Sequence, residues 1–167
     1  MIIIIVNITN VFFNLLQLPT SEDDWRLVSE EFRSQWNFPH CLGAIDGKHV
    51  SIKKPVGSGS FYFNYTKFFS IVLMAVVNAK YEFLMVDVGI NGRVSDGGVI
   101  NQTEFGRRFN KHQLHLPRPE VLEEGDSVPL PYAFVGDDEF AMTENMLKPY
   151  SEVHGKLNND QRVLIIV

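Results

Sequence analysis

Three aspartates of this 167-residue chain sit where a carboxylate invites a chemical explanation. Asp46 interrupts "CLGAIDGKHVSI", which otherwise reads as a buried strand. Asp96 opens the Gly-rich "SDGGVI", and Asp137 follows directly on the apolar "YAFVG". They lie 50 and 41 residues apart, and carboxylates at the strand ends of one sheet can converge on a single edge. Converging carboxylates repel and raise one another's pKa unless a cation neutralises them. Hard oxygen donors of this kind suit Mg²⁺ or Mn²⁺. Two such ions a few ångströms apart would clamp the attacking and leaving oxygens of a phosphodiester displacement.

Each position also has a plain structural reading. Asp96 could cap a helix or form a turn. Asp137 and Asp138 could cap the turn before "EFAM". Asp46 is harder to explain this way, because aspartate is disfavoured in strands and an unpaired carboxylate in an apolar one is costly. Asp87, in a later strand, reads as structural or supporting. His49, three residues past Asp46, falls on the opposite face of a regular strand. Lys48, Lys53 and Lys54 form a small basic cluster beside Asp46; it suits a phosphate backbone or a solvated sheet edge. The segment "GSGSFYFNYTKFF" mixes Phe61, Tyr62, Phe63 and Tyr65 with Lys67. Such aromatics either stack on bases or pack the loop itself.

The elements that must position these residues follow from pattern. In "TSEDDWRLVSEEFRSQWNF", Thr20 or Ser21 can cap a helix whose first turn is acidic, as the helix dipole favours. Trp25, Val28, Phe32 and Trp36 recur at spacings of three or four, so a helix is expected near 22–36; "FPH" ends it. Strands are expected at 43–53, 68–79 and 81–90, the last two joined tightly by Asn78-Ala79-Lys80 as an antiparallel hairpin. "SDGGVINQTEFGRRFN" reads as one helix with Val99, Ile100, Phe105 and Phe109 toward the core. A Pro-rich connector follows, then the short strand of "YAFVG", then a helical turn in "MTENMLKPY" stopped by Pro149. Strands mixed with helices in this order predict an α/β or α+β domain with a mixed sheet.

Composition bounds the function. The chain is 45% hydrophobic and 21% charged, an ordinary globular balance. A net charge of −5 supplies no global basic field of the kind that a self-sufficient DNA-binding protein carries. One cysteine, Cys41, excludes an internal disulfide framework and a cysteine zinc site. Residues 1–19 form an atypical apolar segment, and 20–167 the domain. The stretch 1–18 is borderline in length for a spanning helix and lacks the flanks of a signal peptide, leaving a membrane anchor as a minor reading.

The blocks "FPHCLGAIDGKHVSIKKP", "FYFNYTKFFSIVLMAVVNAKYEFLMVDVG", "GRVSDGGVI" and "YAFVGDDEFAMTENMLKPY", in this order, resemble the DDE endonuclease domain of Harbinger-type transposases and the nucleases domesticated from them. The similarity runs from about Ser21 to Val163. It implies a ribonuclease H-like mixed sheet with flanking helices and a nuclease using Mg²⁺ or Mn²⁺. Asp46 matches the first catalytic aspartate, in the pattern G-x-x-D-G-x-H-V. Asp137, directly after Gly136, matches the aspartate of the G-D-x-x-F block. Asp96 matches a further characteristic aspartate with a metal or substrate role.

The resemblance also implies a DNA substrate, a nuclear location and a partner protein that supplies DNA binding. No residue of this chain matches the family's catalytic glutamate, and Glu144 and Glu152 follow Asp137 too closely to serve. The helix-turn-helix-like region that precedes the domain in such transposases has no counterpart in 1–19. The chain is therefore expected to be a partial domain with weak or no catalysis; the other readings are a non-catalytic interaction module and a membrane-anchored fragment.

Overall fold

The computed structural model describes residues 18–149 apart from Asp126, and for Asp96 the backbone alone. The apolar segment 1–17 and the C-terminal stretch from Tyr150, with Glu152, lie outside the described residues.

Helix α1 spans Glu22–Trp36. Its start is a reciprocal cap: the Asp24 N–H donates to the Ser21 hydroxyl and the Ser21 N–H donates to the Asp24 carboxylate, each at 3.1 Å. The Ser21 hydroxyl beside it and the N–H of Thr20 hold the Asp24 carboxyl below its ordinary pKa. Asn37 closes the helix in the left-handed conformation, φ 51°. Trp25 is fully buried and donates its indole N–H to the Leu114 carbonyl at 2.7 Å. Trp36, expected on the same apolar face, is half exposed. It reaches beyond the core to the β2–β3 turn, donating to the Ala79 carbonyl at 2.9 Å.

Strands β1 (Cys41–Ser51), β2 (Ser70–Val77), β3 (Phe83–Asn91), β4 (Ala133–Val135) and β5 (Met146–Leu147) form one sheet in the order β3-β2-β1-β4-β5. The first three pair antiparallel, and β4 and β5 join parallel to β1. This mixed, helix-flanked sheet is the ribonuclease H-like arrangement. The 78–80 connection makes the expected hairpin: the Asn78 N–H donates to the Glu82 carbonyl, and Tyr81 takes φ 63°.

The sheet has two unequal faces. Ile45, Val76 and Met85 are register partners and all buried, joined there by Val72, Met74 and Phe134. Helices α2 (Asp96–Ile100) and α3 (Glu104–Asn110) cover this core face through Val99, Ile100 and Phe105, with Phe109 partly buried beside Phe134. The opposite face shows Asp46, Ala75 and Val86 in register, and β2 alternates buried and half-buried along its length.

Two expected elements differ. The single helix over 95–110 is broken into α2 and α3 by Thr103, whose hydroxyl donates to the Ile100 carbonyl and accepts from the Gly106 N–H. A Thr with a capping hydroxyl starts a new helix rather than extending an old one. The helical turn expected in "MTENMLKPY" is instead a turn at 143–146 followed by β5. The N–H groups of Phe134 and Gly136 on the outer side of β4 donate to the carbonyls of Asn145 and Leu147. Satisfying that edge outweighs the local helical preference.

Candidate active site

The parallel pairing of β1 with β4 decides where Asp46 and Asp137 lie. Ala44 is the register partner of Val135. Asp46, still within β1, and Asp137, just beyond the end of β4, each come two residues after this last pair. The orientation of Asp46 follows from the residue before it. A Cβ on Gly136 would lie 3.1 Å from Cγ2 of buried Ile45, so Ile45 and Gly136 share the core face. By alternation, Asp46 projects to the other face of β1, while Asp137 follows Gly136 just past the end of β4.

Asp46 is exposed, and among the described residues it has neither a hydrogen-bond nor an ion-pair partner. This corrects the expectation of a wholly buried strand. β1 is covered over its first five residues, up to Ile45, and from Asp46 onward alternates exposed and half-buried residues before ending exposed. The carboxylate thus escapes a desolvation cost, and both its oxygens are available. Asp137 is also exposed, and its Oδ1 accepts the Glu139 N–H at 2.9 Å. The turn-capping role therefore exists, and it uses one oxygen and leaves Oδ2.

The turn itself depends on Gly136. A Cβ there would come within 2.6 Å of the Phe140 ring, which folds back into the core beneath the turn. Gly97 serves the same junction from the helix side: its Cβ would stand 2.6 Å from the Glu139 carbonyl. The first turn of α2, which begins at Asp96, therefore abuts the turn that begins at Asp137. The side chain of Asp96 lies outside the described residues. A cleft of about 290 Å³ behind this junction, between α2, α3 and 139–146, includes neither Asp46 nor Asp137.

Asp87 falls on the other side of the sheet. It pairs with Met74, which pairs with Gly47, a column on the core face. Burial holds its carboxyl above the ordinary range, and the positive charge of Arg107 offsets part of that effect. It cannot share a ligand with Asp46 across the sheet. His49 also lies on the core face, as alternation requires, and its Nδ1 is 2.9 Å from the Ser70 hydroxyl. Cys41 is buried and its thiol is pushed up to about 12, so it stays protonated and is no nucleophile. Lys48 is exposed two residues past Asp46 on the same face; Lys53 is exposed, and the Lys54 ammonium lies 5.4 Å from the centre of the Phe69 ring.

Among the described residues, no group of three or more His, Cys, Asp or Glu side chains could hold a metal ion. The donor set offered is two exposed carboxylates, each two residues past the last β1–β4 pair. That suits a hard divalent cation of the Mg²⁺ type, which is commonly held by one or two carboxylates and keeps several waters.

A mixed 3-2-1-4-5 sheet with flanking helices defines a ribonuclease H-like domain. Residues 45–163 match the family model described as DDE superfamily endonuclease, and the chain belongs to that family. It is 29% identical over 143 residues to "Protein ALP1-like" of Arabidopsis thaliana, a match covering 81% of this chain and 32% of that protein. It is 25% identical over 112 residues to "Putative nuclease HARBI1" of Rattus norvegicus, covering 67% of this chain and 31% of that protein. The chain thus spans about a third of the length of these curated relatives. Both agree with the Harbinger-type resemblance of the motif blocks. No solved structure matches the chain. Among the described residues, no helix is long and apolar enough to cross a membrane.

Proposed function

We propose that this chain is the metal-binding part of a DNA endonuclease of transposase origin, with Asp46 and Asp137 as catalytic carboxylates and Asp96 as a further metal or substrate residue. The observation that supports the reading is the β1–β4 register, whose last pair, Ala44 with Val135, lies two residues before Asp46 and Asp137. Asp46 would offer both oxygens to a Mg²⁺ or Mn²⁺ ion, and Asp137 the oxygen not engaged by Glu139. The ion, when bound, would supply activation of a water and neutralisation of the leaving oxygen. The chain's own contribution is to hold two charges together on a rigid central strand pair and to leave them accessible to a polymer. Lys48, Lys53 and Lys54 would meet the phosphates. A DNA substrate places the activity in the nucleus, with a partner protein supplying target recognition.

Catalysis by residues 1–167 alone is expected to be weak, since none of them matches the family's glutamate. The test is nicking of supercoiled DNA by the purified chain in Mg²⁺ or Mn²⁺, beside Asp46→Ala. The expected result is little or no nicking by either protein. Robust nicking that Asp46→Ala abolishes would confirm the site and contradict the weak-catalysis part. Nicking that Asp46→Ala and Asp137→Ala both leave intact would sink the assignment of the carboxylates.

A non-catalytic interaction module is the second reading. The half-buried apolar face carrying Leu73, Ala75, Val86 and Val88 favours it. Folded protein that takes up no divalent cation would support it.

A further inference from the structure

The 52–69 loop between β1 and β2 presents large aromatics outward although it is itself well anchored. Tyr65 is 72% exposed and Phe61 55%, with Phe63 and Phe68 also exposed. Asn64, buried beneath them, ties the loop together. Its amide N–H donates to the Ser70 hydroxyl at 3.0 Å, and its side-chain carbonyl accepts from the Phe68 N–H and the Thr66 hydroxyl. Backbone bonds from Ile52 to Phe69, Ser70 to Tyr62 and Asn64 to Phe68 close it onto the strands. The rings are thus held in place rather than free to collapse inward, so ordering them for a ligand costs little. Exposed aromatic clusters on a soluble surface mark binding sites more often than scattered apolar residues do.

The charge around the loop identifies the ligand. The chain carries −5 overall, yet no Asp or Glu occurs between Asp46 and Glu82. Over 47–69 it carries Lys48, Lys53, Lys54 and Lys67, and none has a carboxylate partner among the described residues. A protein partner recognised by aromatics alone would not need this local reversal of sign. Aromatic rings interleaved with unpaired lysines match a strand whose bases are unstacked and whose phosphates are regularly spaced. The loop begins past the open end of β1; Asp46 lies five residues before Ser51, about 17 Å along the strand. That is a span of a few nucleotides.

We propose that this loop is a platform for single-stranded DNA: Phe61 and Tyr65, flanked by Phe63 and Phe68, stack on unpaired bases, and Lys48, Lys53, Lys54 and Lys67 meet the phosphates. Its biological role rests on the DNA-acting reading of the Asp46–Asp137 edge, but stacking itself needs no metal. The test is fluorescence anisotropy of the full chain with a labelled oligothymidine and with a duplex of equal length, in EDTA, with thermal melts of every variant. The oligothymidine should bind more tightly than the duplex. Phe61→Ala or Tyr65→Ala should each weaken that binding by roughly tenfold, whereas Tyr65→Phe should retain it. Lys53→Ala with Lys54→Ala should reduce the slope of log affinity against log salt by about 1.4.

Asp46→Ala should not weaken binding in EDTA, since stacking uses no metal and the lost carboxylate only repels phosphate, so that failure of the nuclease reading and failure of the platform are separately visible. The proposal is overturned if the folded chain binds no oligonucleotide, if it prefers duplex, or if the aromatic variants bind like the parent. It is also overturned if those variants alter only self-association, which would make the loop a protein contact.

Discussion

Asp46 owes its freedom to where the cover of β1 stops. Ile45 is buried against Gly136 and Val76, and one residue later Asp46 is exposed. Asp137 owes its position to Gly136, since any side chain there meets Phe140 and Ile45. Gly136→Ala should therefore cost about 1–3 kcal/mol through overpacking; urea unfolding measures it, and an unchanged midpoint would show that Phe140 moves aside freely. Asp87 gives a pH signature. Because its folded pKa is raised, the folded state binds the proton more tightly. Its favourable contribution is present below the unfolded value of about 4 and is lost as pH rises through the folded one. Asp87→Asn, which cannot ionise, should gain thermal stability relative to the parent at pH 7 compared with pH 3. Equal differences at the two pH values would contradict this. Of these residues, Asp46 and Asp137 stand out in the sequence because each breaks or ends an apolar run. Asp87 does not, since alternation within a half-buried strand leaves its face undecided until the register is known.

At the scale of elements, legibility follows how local the determinants are. α1 is readable because its cap, its acidic first turn and its apolar spacing all lie within the 15-residue helix and the one residue before it. β2 and β3 are readable because a tight turn joins two apolar runs. The break between α2 and α3 rests on one hydroxyl, and in the sequence Thr103 looks like an ordinary helical residue. Thr103→Ala should lower stability by about 1–2 kcal/mol, since the hydroxyl is buried and both of its hydrogen bonds cap helix ends. Thr103→Ser should retain most of it; a denaturant series on both variants decides. β5 was out of reach of any local pattern. It is two residues long and exists because the outer edge of β4 needs acceptors that lie 11 and 11 residues away in Asn145 and Leu147.

At the scale of the whole molecule, the strand order does what no single element can. Asp46 and Asp137 are 91 residues apart in the chain, and the parallel pairing of β4 with β1 joins the strands that lead to them. The same topology puts the basic, aromatic 52–69 loop beyond the open end of the strand that carries Asp46, so an acidic protein has one locally basic end. Fold class and family were legible because the motif blocks keep their order; the pairing register and the exposure of Asp46 were not, because they depend on contacts across the sheet. The central claim is that the Asp46–Asp137 edge holds a divalent cation. The most direct measurement is Mn²⁺ binding followed by electron paramagnetic resonance on the parent chain, Asp46→Ala, Asp137→Ala and, as a control, Asp23→Ala on the exposed side of α1. The account predicts saturable binding by the parent and by Asp23→Ala, with a loss of roughly tenfold or more in affinity for each site variant, as expected when one of two charged ligands is removed. Equal binding by all four proteins, or none by the folded parent, would contradict it.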